Sequence, residues 1–356
     1  MNTNLYSEYE NILSIERQWN PLKNQKFTDE LGDDLLNVFN APHTYNFIFK
    51  LLFWDGNYGS LTGMLNSWKD KIPQQRFKHT VSLYLLGIIC AKRIGFNAFD
   101  FPKWDNDADR NFLHHWAAIC LFHDIGYFIE EDKTDFPLNE YKDLDAICER
   151  FHIDHNLRDV DESNLINRYY HYRIDKGCID HGIVAAVLLY DRMMKRNNEY
   201  EKFERQGGTI NSEKPLYGME NINNIILYSK SIARHNMWYA KPNSDEEKDY
   251  KKYKLQKLML SLSPTEKISF SNNPAIFLLC LLDTLEPLKK YSGDDTEKVL
   301  KNTSFEVQKD DDNISVLIIE QEDDDIVATA DKLQDWMDVK VKKDSNNSVR
   351  ICFSTK

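Results

Sequence analysis

Glycine and proline are scarce, 13 and 10 residues in a chain of 356. That scarcity argues against collagen-like, linker-rich and many-turned β architectures. No C-x-x-C pair occurs: Cys90, Cys120, Cys148, Cys178, Cys280 and Cys352 are scattered, which argues against a zinc ribbon or a redox pair. Cys90, Cys120 and Cys280 fall inside apolar runs, where a free thiol behaves as a small hydrophobe. Apolar runs long enough to cross a bilayer are absent; Ala275–Leu282 stops at Asp283. The opening MNTNLYSEYENILSIER lacks the basic start and apolar stretch of a secretory signal. A cytoplasmic protein with no membrane partner is therefore expected. Positive charge is also in deficit, Lys+Arg 45 against Asp+Glu 57, a net −12. This disfavours duplex nucleic acid or an anionic membrane surface as partner, while leaving room for a local cationic site. What is present is core material: 42% hydrophobic and 12% aromatic residues, which excludes a disordered chain.

The length suggests about two domains, or one large domain with insertions. Residues 1–70 read as an N-terminal helical extension, 71–295 as the main domain, and 303–356 as a small α+β unit. His79–Arg93 is apolar nearly all round, as in a buried central helix. Phe112–Phe122 repeats that pattern, and Gly126 beyond it suits a C-terminal cap. Residues 131–178 have weak periodicity. His181–Tyr190 is a third buried helix, followed at Lys195–Tyr217 by what reads as a charged surface excursion. Ile222–Met237 has helical spacing, and 240–256 reads as a solvated insertion. Pro274–Leu285 carries Pro at a plausible first helical position and stops before Pro287. Near the end, Phe305–Gln308, Ser315–Glu320 and Ser348–Ser354 read as strands, 310–313 as a hairpin turn and Ala330–Asp338 as a short helix.

Six residues share an anomaly. His79, His123, Asp124, His181, His235 and Asp283 each lie in or at the end of a strongly apolar helix. A carboxylate closing the run FLLCLLD needs a partner, and a metal ion is one of the few adequate ones. Each residue alone reads as a satisfied core or helix-end group. Together, imidazoles and carboxylates converging from different helices suit a divalent transition metal. His115 lies two helical turns before His123 on the same face and is a candidate catalytic neighbour. His152 and His155 lie in a polar segment and read as exposed, and His43 has no context.

The segments RFKHTVSLYLLG, LFHDIGY, DHGIVAAVLLY, IARHN and LLDTLEP follow in that order over residues 76–288. This set resembles the HD-domain metal-dependent phosphohydrolase superfamily. HGIVAA, IARH and DTLEP are similar to the branch that hydrolyses dinucleoside polyphosphates. Arg76-x-x-His79 also resembles the deoxynucleotide triphosphohydrolase branch. The resemblance implies a mainly α fold, an HD-domain helical bundle with the C-terminal α+β unit appended. It implies that His79, His123, Asp124 and Asp283 hold one divalent ion. Asp124 then bridges to a second ion held by His181 and His235. Fe or Mn are the expected metals, with Mg, Co, Ni and Zn as alternatives. The implied substrate is a small phosphate ester or anhydride, of a nucleotide or a related molecule, attacked by a hydroxide held between the ions.

One departure stands out. Where relatives often carry Lys after HD-x-G, this chain has Tyr127, a hydrogen-bond donor without positive charge. Tyr127 joins Asp124 and His115 as expected catalytic residues. Lys78, Arg158, Arg168, Arg173 and Lys176 are candidates to supply the missing charge, and Arg76 is a further candidate substrate-binding residue. Tyr170, within the Tyr169–Arg173 cluster, is a candidate to stack a base beside them. Two other readings use the same site: a di-iron oxygenase of the HD type, and an HD fold kept as a catalytically silent ligand-binding module. A complete ligand set argues against the latter.

Overall fold

The computed structural model describes residues 4–14, 74–99, 101, 108–157, 160, 163–207, 222–262, 267–290, 296–320, 326–345 and 347–356. The expected N-terminal extension therefore lies outside the described residues except for α1 (Leu5–Ser14), whose Tyr9 hydroxyl meets the Ser82 hydroxyl at 2.8 Å. The chain is mostly helical. After α1 come α2 (Gln74–Ile94), α3 (Ala108–Phe122), α4 (Tyr127–Glu131), α5 (Leu144–Arg150), α6 (Ser163–Asp175) and α7 (His181–Arg205). Then follow α8 (Ile222–Arg234), α9 (Asp245–Lys252), α10 (Pro274–Leu285), α11 (Thr296–Asn302) and, within the sheet region, α12 (Ile326–Trp336).

The core forms around the helices that are apolar on every side. In α10, every residue from Ala275 to Asp283 is buried, so it runs through the middle of the body with α2, α3 and α8 around it. Pro274 opens it in the first turn, and the extended backbone of Glu286 before Pro287 ends it. The first three turns of α7 are equally buried. This helix does not stop at residue 190. It continues to Arg205, through part of the segment expected to be a surface excursion, supported by an Arg205–Glu201 pair at 2.9 Å and an Asn197–Glu201 bond at 3.2 Å. The weakly periodic stretch 131–178 likewise contains α5, capped by Asp143, and α6. The expected solvated insertion contains α9, whose cap Ser244 accepts from the Glu247 amide at 3.1 Å and whose Tyr250 is buried.

The C-terminal region is an antiparallel sheet, order β1-β2-β4-β3, built from β1 (Thr303–Asp310), β2 (Asn313–Glu320), β3 (Lys340–Ser345) and β4 (Ser348–Ser354). Asp311, with φ 51°, takes the left-handed position in the β1–β2 turn. The sequence did not suggest β3: its three lysines lie on an exposed edge, where charge blocks strand addition, and no apolar alternation marks it. The sheet shares one continuous core with the helices. Phe353 of β4 packs on Phe277 of α10, ring centroids 4.7 Å apart, and the Ile268 backbone bonds to Trp336 and Asp338 at either end of the α12 exit. Among the described residues no helix is long and apolar enough to cross a membrane.

Candidate metal centre

The helix α3 ends at Phe122, and His123, Asp124, Ile125 and Gly126 form a turn into α4. The turn carries both side chains of the His-Asp pair toward one point, with His123 Nε2 3.2 Å from Asp124 Oδ1. Gly126 has φ −72°, so it is not the left-handed cap expected from its position. Its role is space: a Cβ built there would lie 2.0 Å from the His181 carbonyl oxygen. The missing side chain lets the turn lie directly against the first residue of α7.

His79 from α2, His181 from α7, His235 just after α8 and Asp283 from α10 complete the group. The arrangement is nearly two-fold about Asp124. His79 Nε2 and His123 Nε2 are 3.3 Å apart in one half, and His181 Nε2 and His235 Nε2 are 3.3 Å apart in the other. Asp124 belongs to both halves, with Oδ2 3.7 Å from His79 Nε2 and Oδ1 3.7 Å from His181 Nε2. Asp283 joins the first half only, its Oδ1 3.1 Å from His79 Nε2 and 3.6 Å from His123 Nε2.

The opposite ring nitrogens show what these Nε2 atoms are. His123 Nδ1 lies 2.8 Å from the Cys120 carbonyl and His235 Nδ1 2.5 Å from the Ile232 carbonyl, each three residues back on its own helix. His79 Nδ1 lies 2.7 Å from Glu286 Oε2 and His181 Nδ1 2.5 Å from Glu130 Oε2. Carbonyls and carboxylates only accept, so all four Nδ1 atoms donate. In its neutral form each ring would then present a bare lone pair at Nε2. Two lone pairs facing each other at 3.3 Å beside a carboxylate repel unless a cation lies among them. The donor set therefore fits divalent metal, and two clusters can hold an ion: His79, His123 and Asp124, and Asp124, His181 and His235.

The electrostatics carry the same demand. Burial opposes charge on His79, but hydrogen bonds to Asp283 and Glu286 outweigh it and push its pKa up to about 10, so without an ion this ring holds the proton that a metal would displace. Burial and the neighbouring His181 drive His235 down to about 3, keeping it neutral. Burial would raise both carboxylates. His123 and His79 outweigh it at Asp124, and Lys289 with His123 and His79 outweigh it at Asp283, so both stay below the usual carboxylate range. Glu130 is likewise held down at about 2: burial opposes its ionisation, and the bond from His181 overcomes it.

Of the other expected site residues, some lie near and some do not. Tyr127 stacks on the His181 ring, centroids 3.7 Å apart, at the edge of the second half. His115 shares the face of His123 but lies eight residues away, about 12 Å along the helix axis. It is buried in the apolar core, with Nδ1 2.7 Å from the Tyr228 hydroxyl and its ring against Phe101, and is not one of the clustered donors. Tyr170 is fully buried, its hydroxyl donating to the Tyr141 carbonyl, so it offers no face to a base. Arg173 pairs with Asp180 at 3.2 Å behind α7 and lies 3.9 Å from Glu130. It braces the His181 support rather than a substrate. Lys176 pairs with Asp249 on the surface, and Arg168 donates to the Lys254 carbonyl. Arg158 lies outside the described residues, as do the side chains of Arg76 and Lys78, whose backbone belongs to the first turns of α2.

Four contributors escaped the sequence reading. Glu286 and Glu130 orient one imidazole in each half. Asp180 caps α7 through the Ile183 amide and accepts from Asn236, fixing the segments that carry His181 and His235 relative to each other. Lys289 contacts Asp283. A signal existed only for Glu286, which stands in DTLEP beside the ligand. The orienting carboxylates set ring direction and basicity, and losing one typically costs about 10–100-fold in metal affinity. Glu130→Ala is thus expected to weaken the second ion by about that factor and spare the first. Glu286→Ala is expected to do the reverse, as read by stepwise titration of the metal-free protein with Co²⁺ followed optically. No family model, curated protein or solved structure matches this chain.

Proposed function

We propose that this chain is an HD-type, metal-dependent phosphohydrolase acting on a phosphate ester or anhydride of a nucleotide or related small molecule. The observation that carries the reading is the arrangement of four Nε2 atoms in two facing pairs, with Asp124 common to both. His79, His123, Asp124 and Asp283 would hold one ion, and Asp124, His181 and His235 the other. Divalent ions there, Fe or Mn first, would supply Lewis acidity toward phosphoryl oxygens and acidify a bound water.

The chain's own residues define what such a centre accepts. Only Asp124 and Asp283 contribute charge directly against two divalent cations, so the loaded site is net positive within a chain of net −12. It draws an anion by local field. Glu130 and Glu286 hold the Nδ1 protons of His181 and His79, keeping those rings from turning over. The apolar walls of α2, α7 and α10 exclude water behind the donors. Tyr127, flat against His181, can donate its phenolic proton to an oxygen of the bound phosphate.

The test is phosphate release from nucleotides, cyclic nucleotides and dinucleoside polyphosphates by protein loaded with Mn²⁺, Fe²⁺, Co²⁺ or Mg²⁺, in air and under argon. Turnover that is independent of O₂ is expected. A silent phosphate screen, together with O₂-dependent oxidation of an organic substrate, would replace this reading with the oxygenase.

A further inference from the structure

Asp283 serves two sets of partners. Oδ1 lies 3.1 Å from His79 Nε2 and 3.6 Å from His123 Nε2, while Lys289 Nζ contacts both oxygens, at 2.8 Å from Oδ1 and 2.7 Å from Oδ2. The lysine reaches this position because the 3₁₀ turn Pro287–Lys290 follows α10 at once and folds back over its last turn. The Lys289 side chain is 32% exposed and that of Asp283 11%. The lysine is thus a partly exposed side chain whose ammonium reaches in to a carboxylate of the first half of the centre. It lies within electrostatic reach of Asp124 and of Tyr127. Tyr127 in turn covers His181 in the second half. Lys289 thus borders the first half through Asp283, and Tyr127 the second half through His181. Arg173 and Lys176 pair instead with Asp180 and Asp249, which are not among the clustered donors.

We propose that Lys289 is the anion-binding cation of this centre, holding a non-bridging phosphoryl oxygen of the substrate and providing the charge that Tyr127 lacks. The proposal rests on the phosphohydrolase reading above. Its chemistry is a handover. Without ions, the ammonium neutralises Asp283. Once cations take up the carboxylate charge, the pull of Asp283 on Lys289 weakens and its donors turn to an arriving anion. A lysine serves phosphate as a point charge with three rotatable donors. That suits a tetrahedral terminal group better than a planar carboxylate.

The experiment is calorimetric titration of inorganic phosphate into metal-loaded wild type, Lys289→Met and Lys289→Arg, with metal content measured on each sample. Lys289→Met is expected to retain the wild-type metal content and to bind phosphate about 10–100-fold more weakly, as for loss of one charge-assisted hydrogen bond. Lys289→Arg, which keeps the charge and guards against a folding defect in the methionine variant, is expected to recover most of the affinity. With a hydrolysable substrate, KM should rise more than kcat falls. Unchanged phosphate affinity in Lys289→Met would overturn the proposal and leave the phosphohydrolase reading standing. So would a loss of affinity matched by a loss of metal, since Lys289 would then only position Asp283. Failure of the metal-loaded wild type to bind phosphate would remove both.

Discussion

Asp124→Asn is expected to deplete both halves of the centre at once and to abolish phosphate release. The carboxylate is the one group common to the two donor clusters, with its oxygens 3.2 Å from His123, 3.7 Å from His79 and 3.7 Å from His181. Asparagine keeps the shape and removes the charge. Taking away one partner of a buried charge interaction costs about 3–5 kcal/mol. For each ion that corresponds to a loss of affinity of about two to three orders of magnitude. Elemental analysis after dialysis should find both ions depleted. His181→Ala should lose only the ion of the second half, leaving His79, His123, Asp124 and Asp283 intact. Circular dichroism controls for folding. Wild-type metal content in Asp124→Asn, or loss of both ions in His181→Ala, would contradict the shared position of Asp124.

Gly126→Ala is expected to cost stability and to disturb the second half of the centre. The added Cβ would fall 2.0 Å from the His181 carbonyl oxygen, 2.8 Å from its carbonyl carbon and 2.9 Å from its Cα. All three are backbone atoms at the start of a 25-residue helix, so no flexible side chain can yield. Overpacking of this kind typically costs about 1–3 kcal/mol, sometimes more, which for a protein of this size lowers Tm by about 1–4 °C. The α7 start must also move, and His181 moves with it. Metal titration should then show the second ion weakened more than the first. Gly182→Ala makes a useful contrast, because its Cβ would meet chiefly the His235 ring, at 2.8 Å from Cε1. It should cost less stability and act on the same ion.

Much of this centre was legible in the sequence, because each donor violates the apolar pattern around it. Asp283 after FLLCLL and His181 before GIVAAVLL could not be explained as surface residues, and the structure brings both to the cluster. Glu130 and Lys289 carry no such mark. Each stands among other charged residues, in YFIEE and PLKK, and only the fold shows which member turns inward. His115 failed for a geometric reason: sharing a helix face says nothing about depth along the axis. Tyr170 was placed at the site because aromatic and basic residues cluster there, yet α6 turns it into the core. Elements were legible where apolar periodicity governs. They were missed where charge pairs, caps or an exposed edge stabilise them, as in the second half of α7, α9 and β3.

The contact between Phe353 and Phe277 also ties the C-terminal sheet to the candidate centre mechanically. Phe353 of β4 packs on the same helix that presents Asp283. Close-packed interiors transmit strain, so a void opened at Phe353 would be felt along that helix. The sheet is therefore a buttress for the element that carries one of the two clustered carboxylates.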